Sequence, residues 1–210
     1  MLGLSATNTR EGMKKVVVIG AFGTLGRAIV QELGTDQAIV AGSKSSGFAV
    51  DICDDQSVRT LFDQVGAINA IIVAAGEAHV GPLKEMTAEQ FNDGLQNKLI
   101  GQIRVCLIGQ HHLNAGGSIT LTTGIITHEP LRDCANVPSV DCALEGFILA
   151  AATELRQIRV NAVSPTMLTE SADTYAEYCP GFESVPASRA ALAFRRSVDG
   201  IQRGRVYRVW

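Results

Sequence analysis

The thirteen residues Lys14-Lys15-Val16-Val17-Val18-Ile19-Gly20-Ala21-Phe22-Gly23-Thr24-Leu25-Gly26 decide how the rest of the chain is read. Val16 to Ile19 is an unbroken β-branched run, the pattern of a strand buried on both faces of a parallel sheet. Glycines at 20, 23 and 26 follow, and residues 27–33 then place apolar side chains at helical intervals until Gly34 stops them. Small residues here permit a tight turn, close approach of the backbone to an anion, and packing of helix on sheet. The first helical N–H groups lack intrahelical partners and lie at the positive end of the helix dipole, so they favour a phosphate. Gly20, Phe22, Gly23, Thr24, Leu25 and Gly26 are therefore candidate contacts to a dinucleotide pyrophosphate. Glycines can also merely punctuate a βα turn; strand, spacing and helix together favour the cradle.

Outward from this loop the pattern alternates. Strands are expected at 38–42, 70–74, 118–122, 158–163 and 206–209. Helices are expected after Asp54 or Asp55, from Thr87 to about His112, over 141–155 and over 187–197. Regular strand–helix alternation implies parallel strands joined by right-handed crossovers. The fold class is thus α/β, a doubly wound parallel sheet of Rossmann type in three layers α/β/α. Residues 13–210 read as one domain and 1–12 as a flexible extension.

Composition narrows the class. Of 210 residues 46% are hydrophobic, enough to fill a core between a sheet and two helix layers. The net charge of −3 is dispersed, so no basic field invites nucleic acid or an anionic membrane. No stretch approaches the ~20 apolar residues that span a bilayer, and the opening residues lack the layout of a secretory signal. Cys53, Cys106, Cys134, Cys142 and Cys179 are odd in number without CxxC spacing, as expected of reduced thiols in a cytoplasmic protein. His111 and His112 are adjacent with no ligand set around them, so no metal is expected.

The end of the second strand selects the adenosine ribose. An acidic residue there would bind the 2′-hydroxyl of NAD, and a basic one the 2′-phosphate of NADP. Ser43, Lys44 and Ser45 occupy it, which favours NADP over NAD by charge. The same residues could form an ordinary surface turn.

After Met13 the chain resembles the short-chain dehydrogenase/reductase family over essentially its whole length. Gly20 to Gly26 has the GxxGxxG form of atypical members, and Ala74-Ala75-Gly76 corresponds to the family's NAG-like turn. Asp51-Ile52 is similar to its adenine-binding segment, and Arg159-Val160-Asn161-Ala162-Val163-Ser164-Pro165 to its RVNAVSPG turn, with Thr166 replacing the glycine and Thr169 matching a frequent threonine. The resemblance implies cofactor contacts from Asp51, Ile52, Ala74, Ala75, Gly76, Pro165, Thr166, Met167 and Leu168. It also implies a substrate lid over 167–186, with Tyr175, Tyr178 and Phe182, and a homodimer or homotetramer through the helices around 95–112 and 143–155.

Active members of that family share Ser, Tyr, Lys and Asn, which relay a proton beside a cofactor that carries hydride. Alignment on Ala143-Leu144-Glu145-Gly146-Phe147 puts Asp141 at the lysine position, Val137 at the tyrosine and Gly124 at the serine; Lys98 holds the Asn position, one residue after Asn97. No tyrosine precedes Tyr175, so the standard relay is absent. Lys98 could polarise a substrate carbonyl, hold the cofactor's ribose hydroxyls, or form a structural ion pair with Asp141. Thr122 or Thr123 could orient a substrate oxygen or simply fill the strand end. His128, in the following loop, could act as an acid or merely lie exposed. Cys134 and Cys142 flank the vacated tyrosine beside Asp133 and Asp141, where a thiolate is disfavoured.

Two functions follow. One is an NADP(H)-dependent oxidoreductase acting on a small carbonyl or alcohol, or an activated double bond, through a non-standard proton donor. The other is an inactive NADP(H)-binding protein with a sensing or assembly role; non-redox chemistry on the same scaffold stays open.

Overall fold

The computed structural model describes residues 14–34, 37–42 and 47–210, and the proposed extension 1–12 lies outside them. The strands are β1 (Val16–Ile19), β2 (Ala38–Gly42), β3 (Phe48–Ala49), β4 (Ile68–Val73), β5 (Leu113–Thr122), β6 (Arg159–Pro165) and β7 (Val206–Val209). They form one seven-stranded sheet in the order β3-β2-β1-β4-β5-β6-β7, every pairing parallel. The helices are α1 (Thr24–Leu33), α2 (Asp55–Val65), α3 (Ala88–Gly94), α4 (Gly101–Gly109), α5 (Asn136–Glu154), α6 (Ala172–Tyr175) and α7 (Ala187–Asp199). This is the doubly wound α/β/α architecture the alternation implies.

Period-two alternation along buried strands sends neighbouring side chains to opposite layers. Val17, Ile19, Ile71, Val73, Ile119 and Leu121 pack against α2, α4 and α5 through Phe62, Val105 and Leu144. Val16, Val18, Ala70 and Ile72 meet Ile29 of α1 and Phe194 of α7 on the other face. Each buried Val, Ile, Leu or Phe among them contributes about 1.5–3 kcal/mol on leaving water. The chain winds from β1 outward to β3 and then returns to β4 on β1's other side. The crevice between the carboxyl ends of β1 and β4 is therefore the switch point where such sheets bind ligands.

Boundaries depart from the sequence expectations where local chemistry overrides periodicity. The α5 helix opens at Asn136 rather than 141, because Pro138 sits in its first turn, where a missing N–H breaks no helical bond. Asn136 is buried: its Oδ1 accepts from His79 N (2.9 Å) and its Nδ2 donates to the Phe91 carbonyl (2.9 Å). Gly94 makes room for it, since a Cβ there would stand 1.8 Å from Oδ1. The start of α5 is thereby fastened to α3. The helix expected from Thr87 to His112 opens with a Thr87–Gln90 capping box and passes through a π-helical stretch, Leu95–Ile100, before α4. The two-residue β3 is too short for periodicity to detect. No helix among the described residues is long and apolar enough to cross a membrane.

At the first crossover the backbone approach is close. Gly20 has φ +82°, and a Cβ on it would lie 2.2 Å from the Ala74 carbonyl oxygen; one on Gly26 would lie 2.0 Å from the Gly20 carbonyl oxygen. Replacing Gly26 by Ala should therefore cost about 1–3 kcal/mol by overpacking. Thermal melting should show this as a fall of several degrees; an unchanged midpoint would contradict the close packing.

Candidate active site

Two cavities open at the carboxyl edge of the sheet. The first, about 410 Å³, is lined by Ile19, Gly20, Gly23, Gly42, Asp51, Ile52, Ala74, Ala75, Gly76 and Asn97. Its geometry suits a dinucleotide. Gly23 is exposed in extended conformation ahead of α1, with no side chain capping the first-turn amides, so the N–H groups around Thr24 and Leu25 remain available to an anion. A Cβ on Gly23 would meet nothing nearer than the Gly20 carbonyl at 3.6 Å, which leaves the space above the loop open. The Phe22 ring packs over Gly42 at the end of β2. Asp51 presents an exposed carboxylate whose Oδ1 also accepts from Cys53 N (2.8 Å), while Ile52 is buried against Gly101. Ser43, Lys44 and Ser45, the residues expected at the adenosine ribose, lie outside the described residues.

The second cavity, about 390 Å³, is walled by apolar groups: Val80, Ile125, Ile126, Leu131, Val137, Met167 and Leu168, with Tyr175, Tyr178 and Cys179 from the 167–186 segment. Pro165 and Thr166 line it too; Thr166 is anchored through its N–H to the Val209 carbonyl and through its hydroxyl to the Glu183 carbonyl. A bridge between Leu168 and Val185 closes the base of that segment. Phe182 is not among the lining residues.

The charged residues of the lining are Lys98 and Asp141, accompanied by the hydroxyl residues Thr123, Thr166 and Ser171. Lys98 comes from the π-helical stretch and packs beside Gly76, whose Cβ would stand 2.9 Å from the Lys98 Cα. The lysine thus lies where the two cavities adjoin. Its neighbour Asn97 accepts from Glu77 N (2.8 Å) and fixes the loop after β4. Lys98 Nζ stands 2.7 Å from Asp141 Oδ1, the ion pair that was one of its sequence readings. Asp141 has no exposed side-chain surface, and Lys98 has 14%. The contact has the length of a charge-assisted hydrogen bond but not its alignment, and no other protein group donates to either Asp141 oxygen. Burial pushes the Asp141 carboxyl above its ordinary value; Lys98 opposes that shift and Glu145 adds to it.

The remaining candidates separate. Thr123 is buried in the cavity lining and its hydroxyl donates to Glu145 Oε1 (3.3 Å). Thr122 is not among the cavity-lining residues: its hydroxyl donates to the Val73 carbonyl (2.6 Å) and staples β5 to β4. His128 also lies apart from the cavity lining. Its Nε2 is 2.9 Å from an Arg208 nitrogen and its ring lies 5.4 Å from that of Trp210. Burial raises the thiols of Cys134 and Cys142, so neither is poised as a thiolate. Sequence reasoning treated Gly124 and Val137 as losses; the structure shows both as lining, with Val137 and Asp141 one helical turn apart on α5.

Residues 11–201 match the family described as enoyl-(acyl carrier protein) reductase. The chain is 31% identical over 139 residues to a short-chain dehydrogenase/reductase of Stachybotrys chlorohalonatus, covering 61% of this chain and 55% of that one. It is 29% identical over 177 residues to a D-threitol dehydrogenase of Mycolicibacterium smegmatis, covering 79% and 65% respectively. Among solved structures, lin1944 of Listeria innocua is 40% identical with a TM-score of 0.92, covering 94% of this chain and all of that one. A small-chain dehydrogenase in complex with NADPH is 27% identical with a TM-score of 0.83, covering 93% and 96%. The chain belongs to the short-chain dehydrogenase/reductase family of oxidoreductases.

Removing Lys98 would leave Asp141 buried without a counter-ion, which costs about 3–5 kcal/mol when the charge persists. Asp141 has a raised carboxyl, so the folded state binds more protons than the unfolded one above the ordinary Asp range, and its contribution falls as pH rises toward the folded value. Lys98→Met should therefore be destabilised more at pH 8 than at pH 5.5. Denaturant unfolding at the two pH values measures it, and equal losses would contradict a buried titrating carboxyl.

Proposed function

We propose that this chain is an NADP(H)-dependent oxidoreductase acting on a small carbonyl or alcohol, or an activated double bond, with a non-standard proton donor. The observation that carries this reading is the junction of the two cavities: a glycine-lined groove meets an apolar pocket at Gly76 and Lys98, with a buried charged pair on the pocket side. The loop from Gly20 to Gly26 would hold the pyrophosphate, Asp51 and Ile52 the adenine end, and Ala74 to Gly76 with Pro165 to Leu168 the nicotinamide end. When bound, the coenzyme supplies or accepts hydride. The apolar walls would exclude water from the substrate, Thr123 would help orient its oxygen, and the Lys98–Asp141 pair would face it.

Preference for NADP rests on Lys44 and is supported by the NADPH complex of the related small-chain dehydrogenase. A homodimer or homotetramer belongs to the same proposal: Leu107 on α4 and Leu149 on α5 are 53% and 59% exposed, on the helices expected to pair. A cytoplasmic setting is proposed with it, which the unpaired thiols suit. The rival reading, a non-catalytic NADP(H)-binding protein, is favoured by the replacement of the family's Ser, Tyr, Lys and Asn by Gly124, Val137, Asp141 and Lys98.

Fluorescence titration should show NADPH bound more tightly than NADH, and Lys44→Glu should weaken NADPH by about tenfold or more while sparing NADH. NADPH oxidation should then be detected with at least one member of a panel of apolar ketones, aldehydes and enones. Tight binding with no turnover anywhere on the panel would transfer support to the non-catalytic reading, and no binding of either coenzyme would remove both.

A further inference from the structure

We propose that Asp141 is the catalytic residue that exchanges a proton with the substrate oxygen, and that Lys98 is its positioning partner; this rests on the oxidoreductase reading above. The pair is not arranged as a closed structural salt bridge. Asp141 is fully buried, yet neither oxygen accepts a well-aligned hydrogen bond, whereas buried polar atoms are normally satisfied. Asp141 is among the residues that line the apolar pocket, so the unmet capacity lies at the cavity wall.

Two neighbours leave little bulk between the carboxyl and the cavity. An ideal Cβ on Gly124 would stand 3.5 Å from Asp141 Oδ2, so a side chain there would occupy space beside the carboxyl. One turn earlier on α5, Val137 presents no polar atom and only a short side chain to the same cavity. A substrate oxygen entering between them would reach Asp141 Oδ2 once the lining side chains shift to uncover it, while Oδ1 stays against Lys98.

The chemistry balances in the reducing direction. As the carbonyl carbon accepts hydride from NADPH, its oxygen takes the proton of the Asp141 carboxyl; that O–H bond breaks and the alcohol O–H forms. The carboxylate left behind is held by the Lys98 ammonium at 2.7 Å and recovers its proton from solvent. The titratable groups near Asp141 are Lys98, Glu145 and Cys142, and across the cavity Cys134, Cys179, Tyr175 and Tyr178; Lys98 is the cation among them. Burial raises the carboxyl and so favours the protonated form that a proton donor requires, while Lys98 opposes that shift.

The test uses the intact protein and the carbonyl that responds best on the panel. Asp141→Asn should keep NADPH affinity within about threefold, while the rate of reduction falls by about 100-fold or more. For the wild type, the rate should decline as pH rises through the Asp141 value. In Lys98→Met that decline should survive at reduced rate and move to higher pH, because the charge that lowered the carboxyl is gone. Loss of the decline in Lys98→Met would make the lysine the acid and overturn the proposal, as would an unchanged rate in Asp141→Asn. Carboxyl-carbon NMR of the NADP⁺-saturated protein gives a readout independent of turnover: the signal missing from Asp141→Asn should titrate. A carboxyl that stays ionised from pH 5 to 9 overturns the assignment of Asp141 alone. A wild type that binds NADPH but reduces nothing overturns the oxidoreductase reading, and this assignment falls with it.

Discussion

A carboxyl group with no exposed surface constrains everything around it. Asp141 must be either protonated or paired, and Lys98 is placed to pair it. Holding a lysine there requires the helix before it to deliver the ammonium across the gap to α5. The π-helical stretch from Leu95 to Ile100 and the Asn136 link between α3 and α5 set that gap. Gly76 and Gly94 then allow the backbones to come close enough, because side chains at either position would collide with Lys98 or Asn136. The site is therefore built by two helices and one loop whose separation is fixed by buried polar contacts rather than by apolar packing alone.

As a stability device, this pair is poor. Desolvating two charges costs several kcal/mol, and apolar residues of similar volume are often neutral or better in such places. Well-formed buried pairs recover much of the cost through aligned hydrogen bonds on every lone pair, which Asp141 does not have. The same incompleteness is an advantage beside a ligand cavity, where an incoming hydroxyl or carbonyl supplies the missing partner. The arrangement is thus better accounted for by ligand recognition than by folding energy.

Much of the architecture was legible in the amino-acid order, for identifiable reasons. β1 is buried on both faces, so its unbroken β-branched run needed no tertiary context, and the glycines at 20 and 26 mark real close approaches. The start of α5 was less legible, because Pro138 looks like a breaker until it is known to sit in the first turn. The roles of Thr122 and His128 could not be separated from that of Thr123 by sequence. All three lie near one strand end, and only the sheet pairing shows Thr122 turned to Val73 and His128 drawn to Arg208 and Trp210. Periodicity locates elements but does not aim individual hydroxyls and rings.

The vacated positions carry a different lesson. Matching the chain to its family's pattern registers Gly124 and Val137 as missing groups, because a pattern records which residue is expected and not what its replacement makes room for. In three dimensions the two small residues and Asp141 line one pocket, and a Cβ at Gly124 would stand 3.5 Å from Asp141 Oδ2. Charge has also changed sides: the ammonium expected on α5 stands on the π-helical stretch, and α5 carries the acid. Such an exchange would keep a charged, proton-bearing centre at the junction of coenzyme groove and cavity, with α5 still supplying the proton and only the cation moved to the π-helical stretch. The absence of tyrosine from the Val137 position on α5 therefore removes one route for proton transfer without removing the physical requirements for another.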